Sequence, residues 1–343
     1  MDQRTHSWIA IRAIALLEDE DKKSNLVALL KPHVKEATVG AWIPDQIDAK
    51  RGGSIMDNHV LKIRQLDEGQ DAKVGQKKRF IMSKSDLLSQ IGEYRKTAKV
   101  IQKRGDSLGD TWWGTPFYGE IPKRGQHLPN RAMALSTMIE DLLLMGNKEI
   151  DNLIPGGVSF IESLSSDMRT SEDAAAMYFF MLSHFIADSC MPCHCDGRPL
   201  AKYGAGLHKE LEKHWSELID VGFDKKNILK PTVRATDVLA MAREVDSKFA
   251  GLDLKNAKVP SLVKGHDVWL ETMYGCRASF AVANIIALPD KYQKKAKFKD
   301  VLGDGNESLL KDVDMAAMYD AVLNTAIVWK YIWNKVSKKT KEK

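Results

Sequence analysis

Apolar side chains return along most of this chain at every third or fourth position, the spacing of an α-helix with one buried stripe. Ser7 to Leu17 carries Trp8, Ile9, Ile11, Ile14 and Leu17 with alanines between them, which predicts a helix with a wide buried face. Ser24 to Leu30 continues helically until Pro32. Gly40-Ala41-Trp42-Ile43-Pro44-Asp45 then reads as a helix end or turn, and Gly52-Gly53 breaks the chain again. From Pro129 the helical pattern strengthens, over Arg131 to Met145, Gly157 to Leu164 and Ser171 to Asp188. Thr170 or Ser171 suits the cap of the last, and Pro192 marks the latest point at which it can end. Leu207 to Ile219, Thr232 to Phe249, Gly265 to Leu288 and Val313 to Trp333 predict further helices. No alternating strand pattern of useful length appears, so the expected fold class is all-α.

Residues 60 to about 130 break this regularity. They hold Lys77-Lys78-Arg79 and a turn-rich stretch from Gly105 to Gly114 around Trp112-Trp113, and only Ser83 to Ile101 reads as a helix. The segment lacks the apolar content for a core of its own. It therefore reads as an insertion or lid in a single domain spanning 1–343, with additional C-terminal helices over about 232–335 packed behind. Met273, Phe280, Ile285, Met315, Met318 and Trp329 are their core candidates.

Charge narrows the function only a little. The formal net charge is +5, and much of the excess comes from the run Lys335 to Lys343, read as a solvated tail rather than a nucleic-acid arm. No stretch reaches the ~18 apolar residues that span a bilayer. The opening Met1-Asp2-Gln3-Arg4-Thr5 has no leader pattern, so the expectation is cytoplasmic as the sequence stands, or secreted if a leader has been removed. Cys190, Cys193, Cys195 and Cys276 are too few and too bunched for a disulfide scaffold, and are read as inert thiols beside a functional loop.

The densest chemical signal begins at His184. His184 and Asp188 are four apart and share a helix face, and His208 and Glu212 repeat that spacing on the next helix, with Pro192 and His194 between. Imidazole and carboxylate are the ligands zinc accepts in hydrolytic sites. Upstream, His6 near the residue 1 amine, together with Asp45 and His59, can complete such a site. His33, His214 and His266 are left as ordinary residues. His214 lies two beyond Glu212 and so points away from the ligand face.

With these residues in view, the chain resembles the superfamily of bacterial zinc-dependent phospholipase C and S1/P1 nucleases. The matching stretches are Thr5-His6-Ser7-Trp8-Ile9-Ala10-Ile11-Arg12-Ala13-Ile14, Trp42-Ile43-Pro44-Asp45 with His59, His184-x3-Asp188-x3-Pro192-x-His194, and His208-x3-Glu212. The fourteen-residue steps from Asp45 to His59 and from His194 to His208 follow the phospholipase pattern, as does Glu212 as the last ligand. The five-residue step from residue 1 to His6 follows the nucleases. Met1 stands where the family usually has Trp, and Gln46 and Met56 occupy positions that line the phospholipase choline pocket.

The resemblance implies a phospholipase C/P1 nuclease-like helical bundle holding three zinc ions. Asp45, His59, His184 and Asp188 would hold the first, and His194, His208 and Glu212 the second. His6, Asp188 and the amine and carbonyl of Met1 would hold the third. The implied activity is phosphodiester hydrolysis, phospholipase C-like, by a zinc-bound hydroxide attacking phosphorus, with Asp45 also orienting or deprotonating the nucleophile. The substrate would be a phospholipid or other phosphodiester, met by a monomer with peripheral membrane contact. Two alternatives are a nuclease for single-stranded nucleic acid, with Trp112, Trp113, Phe117 and Tyr118 stacking on bases and Arg124 or His127 on phosphate, and a metal-binding protein without turnover.

Overall fold

A computed structural model describes residues 1–50, 59–61, 63–64, 115–116, 128–146, 170–196, 207–219, 222–224, 227–230, 232–249, 252–262, 264–286, 302 and 305–341. The expected helices over 83–101 and 157–164, the aromatics at 112–118, and Met56, Arg124 and His127 lie outside these residues, as does the Ile285 side chain.

The described chain is all-α. Its helices are α1 (Gln3–Glu20), α2 (Asn25–Leu30), α3 (Ala37–Gly40), α4 (Ile43–Lys50), α5 (Leu128–Met145), α6 (Ser171–Ser189), α7 (Pro192–Cys195), α8 (Leu207–Leu218), α9 (Ala235–Glu244), α10 (Val268–Ile286) and α11 (Glu307–Lys341). An antiparallel pair of two-residue strands, β1 (Ile63–Arg64) and β2 (Thr115–Pro116), closes the base of the expected insertion.

Helices α1 and α6 are buried nearly all round, α1 from Thr5 to Leu17 and α6 from Phe179 to Ser189 without a break. A helix apolar on every side belongs in the middle of a bundle, and both sit there. Each begins on a capped end. Asp2 accepts from the Thr5 backbone N–H at 3.1 Å, and Thr170 with Asp173 forms a reciprocal capping box. Helices α3, α9 and α11 pack on α1, while α5, α10 and α11 pack on α6.

Polar ties fix these contacts. The Trp8 indole donates to the Ala242 carbonyl at 2.9 Å, and buried Arg12 grips Asp246 with Nε and Nη2. Phe179 and Phe180 of α6 lie against Trp329 of α11, with ring centroids 5.8 and 6.1 Å away. At Gly40 the approach to α6 is so close that an added Cβ would sit 2.6 Å from Met177 Sδ.

Three details differ from the sequence expectations. Asp45 lies in the first turn of α4, a helix start where the sequence reads as a helix end or turn, because Pro44 suits the first helical positions, where its missing N–H has no partner to lose. The lysine run continues α11 to Lys341, and Lys335 pairs with buried Glu140 at 2.6 Å. Met315 is half-buried, whereas Met273, Phe280, Met318 and Trp329 are core residues as expected.

Candidate metal centre

Six elements deliver the nine expected ligand groups to one place. His6 comes from the first turn of α1, Asp45 from α4, and His184 and Asp188 from successive turns of α6. His194 sits in the short helix α7, and His208 and Glu212 on α8. His59 arrives on the irregular segment 59–61, which is tied down at both sides. Leu61 N–H donates to the His194 carbonyl at 3.2 Å, and Leu128 N–H donates to the Val60 carbonyl at 3.3 Å. Beneath that segment Leu61, Leu128, Cys195, Met273, Cys276 and Phe280 form a small apolar cluster. Two of the four buried thiols, none of them in a disulfide, thus act as packing for the His59 and His194 backbones.

Asp188 is the hub. Its Oδ2 faces His59 Nδ1 at 3.0 Å and His184 Nε2 at 3.2 Å. Its Oδ1 faces His194 Nδ1 at 3.2 Å, His6 Nε2 at 3.5 Å and the Met1 amine at 3.3 Å. Asp45 Oδ1 lies 3.5 Å from His184 Nε2 and 3.6 Å from His59 Nδ1. On the other side, Glu212 Oε1 lies 2.8 Å from His208 Nε2 and 2.9 Å from the Met1 amine.

The ligand atoms fall into three groups, each within 4.8 Å: His6-His184-Asp188, Asp45-His59-His184 and His194-His208-Glu212. Each can hold a metal ion. His184 is shared between the His6 and Asp45 groups, and the Met1 amine meets the same Asp188 oxygen as His6.

The donor chemistry fits a cation better than it fits a hydrogen-bond network. Both ring nitrogens of His6 are buried without a hydrogen bond, a costly state unless a lone pair is used elsewhere, and His194 Nδ1 has only the Asp188 oxygen at 3.2 Å, out of hydrogen-bond alignment. His184 Nε2 faces His59 Nδ1 at 2.9 Å, and His194 Nε2 faces His208 Nε2 at 2.9 Å. Two facing ring nitrogens need a proton, or a cation, between them. The other nitrogen of His184, Nδ1, lies 2.7 Å from the Ala41 carbonyl, which can only accept. That bond places the proton on Nδ1 and aims Nε2 at the cluster, the usual outer support of a metal-bound imidazole.

Charges in the metal-free centre follow the same layout. Burial opposes a charge on the Met1 amine, but Glu212, Asp188 and Asp45 outweigh it and push the amine up to about 11. The carboxylates Asp188 and Asp45 likewise overcome burial at His184 and raise it to about 10. Burial wins at His194, lowered to about 4, and at His6, which the neighbouring His184 charge depresses further. Asp188, Asp45 and Glu212 all stay ionised despite burial, held low by the histidines and, for Asp188 and Glu212, by the amine. Asp45, Glu212 and His208 keep 30, 21 and 20% of their side chains accessible, so the cluster meets solvent at these groups.

The other histidines among the described residues have partners elsewhere: His33 with Asp173, His214 with Asp314 and His266 with Glu271. The Ala41 carbonyl had no signal in the sequence, since a backbone oxygen carries no side-chain signature. The described residues thus define an all-α protein with clustered, buried histidine and carboxylate sites able to bind metal. Comparison of the chain with protein-family models, curated proteins and solved structures returned no match. No helix among the described residues is long and apolar enough to cross a membrane.

Proposed function

We propose that the chain is a zinc-dependent phosphodiester hydrolase, phospholipase C-like, with about three zinc ions held by Asp45, His59, His184, Asp188, His194, His208, Glu212, His6 and the Met1 amine. The observation that carries this is the convergence on Asp188, whose two oxygens face different histidine groups 3.0 to 3.5 Å away. An all nitrogen-and-oxygen donor set with imidazoles and carboxylates suits zinc. Bound there, zinc supplies Lewis acidity and lowers the pKa of a coordinated water toward neutrality.

The protein's own groups do the rest. Asp188 holds two ligand sets in register, and the Ala41 carbonyl fixes the His184 tautomer. Asp45, the most accessible of the carboxylates in the cluster, is placed to accept a proton from an attacking water where the cluster meets solvent. The burial of His6 and His194 keeps their nitrogens neutral and available.

Hydrolysis of bis(4-nitrophenyl) phosphate by the zinc-loaded protein tests the chemistry. Short-chain phosphatidylcholine and single-stranded DNA, run in parallel, test the substrate. Phospholipid turnover is expected, in line with Glu212 and the fourteen-residue ligand steps. The short step from residue 1 to His6 favours the nuclease reading, which DNA cleavage without lipid turnover would establish. Zinc uptake without hydrolysis of any of the three would leave a metal-binding protein.

A further inference from the structure

Outside the centre, one buried carboxylate spends both its oxygens on a single ligand-bearing helix. Asp314 of α11 is 4% exposed. Its Oδ1 accepts from the Trp215 indole N–H at 2.7 Å, and its Oδ2 meets His214 Nε2 at 2.7 Å. Both partners belong to α8, which also carries His208 and Glu212.

Geometry makes this grip more than an anchor. Neighbouring residues of an α-helix point about 100° apart around its axis. A carboxylate that holds two of them at once sets the rotation of the helix as well as its position. The apolar contacts of α8, through Leu207, Leu211 and Trp215, are buried but non-directional and tolerate turning. The two Asp314 bonds are directional; the one from Trp215 is buried and the one with His214 partly so, and a misaligned bond on the buried carboxylate is costly.

Rotation matters because the ligands are close by. Glu212 precedes Trp215 by three residues and His208 precedes it by seven, so all three lie along neighbouring rows of the helix. A turn of α8 that moves the Trp215 indole moves the Glu212 and His208 tips with it. Metal–ligand distances hold only within about 0.2 Å of their ideal values.

We propose that Asp314 is a positioning residue that locks the rotation of α8 through His214 and Trp215, and so aims His208 and Glu212 at their metal ion. The role rests on the metal-centre reading above, and it distinguishes the His194-His208-Glu212 ion from the ions held by α1, α4 and α6. His214, which faces away from the ligands, is on this view part of their support.

The test compares wild type, Asp314→Asn and Asp314→Ala by stepwise zinc or cobalt(II) titration against a chromophoric chelator, with amide hydrogen exchange of the metal-free proteins. Asn keeps the shape and the oxygen that accepts from Trp215, so Asp314→Asn is the folded control. One metal ion is expected to weaken about ten- to a hundredfold in Asp314→Ala, and less in Asp314→Asn, as when an outer partner of a ligand is removed. The cobalt absorption of that ion should shift, and exchange should rise across residues 207–218 alone. Equal loss of all the ions with faster exchange throughout would make Asp314 merely structural and overturn the proposal. Unchanged affinities and unchanged exchange in both variants would overturn it as well. Wild type that takes up no zinc would instead sink the metal-centre reading, and exchange over 207–218 would then decide the lock on its own.

Discussion

His6 and His184 stack face to face, with ring centroids 3.7 Å apart and planes 17° from parallel. One ring comes from the first turn of α1 and the other from the middle of α6. Their protonation is opposite, because His184 has carboxylates beside it while burial and the His184 charge keep His6 neutral. The stack therefore presents a lone-pair nitrogen next to a proton that a metal ion can replace.

Asp188 is expected to be indispensable. Asp188→Asn keeps its shape but removes the charge that links the ligand groups. It should cost at least two zinc equivalents and more than about a hundredfold in activity, beyond the effect of losing an outer partner. In the metal-free protein Asp188→Ala also takes one of two facing carboxylates from the buried Met1 amine and from His184, leaving Glu212 to the amine and Asp45 to His184, a loss of about 1–3 kcal/mol. Zinc analysis and thermal unfolding check the two parts. Full zinc content in Asp188→Asn would contradict the hub assignment.

A residue added ahead of Met1 turns the amine into an amide. That removes a positive group 2.9 Å from Glu212 and 3.3 Å from Asp188, and a candidate ligand with it. Zinc content is expected to fall by one equivalent while the helical circular dichroism stays unchanged. Unaltered stoichiometry would remove Met1 from the ligand set.

Gly40→Ala probes the support of His184. The new Cβ would lie 2.6 Å from Met177 Sδ and 2.7 Å from Phe180 Cβ, a contact that forces α3 away from α6. The cost is about 1–3 kcal/mol in stability. Ala41 follows directly, so its carbonyl moves off His184 Nδ1 and zinc affinity drops with the melting temperature. A lower melting temperature with wild-type zinc affinity would show that this carbonyl does not orient the ligand.

Glu18 supplies a pH test away from the centre. Burial on its own would raise its carboxyl, but hydrogen bonds and charge from Lys31 and Arg243 outweigh it and hold the group below its ordinary value. A carboxylate depressed in the folded state stabilises above its unfolded pKa and stops doing so as pH falls through the folded one. Glu18→Gln should therefore lower the urea midpoint at about pH 7 by up to about 1 kcal/mol equivalent, with the deficit shrinking toward about pH 3. A deficit independent of pH would assign the loss to packing instead.

By itself the sequence determined what one helix can hold. The 3.6-residue repeat put His184 beside Asp188 and His208 beside Glu212, marked most of the described helices, and narrowed the α6 cap to Thr170 or Ser171, because each depends on neighbours a turn away. The sequence also offered His6, the residue 1 amine, Asp45 and His59 as candidates, which no local rule could join to α6 and which only the resemblance to zinc phospholipases and nucleases assigned to particular ions. Only the tertiary structure decided that they meet there, that Asp45 opens a helix, and that Lys335 continues one to reach Glu140. It alone placed the Ala41 carbonyl on His184 and Asp314 behind α8. Long-range convergence depends on how buried faces pack, and apolar packing carries no address in the chain: the hydrophobic pattern says which face turns inward, and not which oxygen it will find.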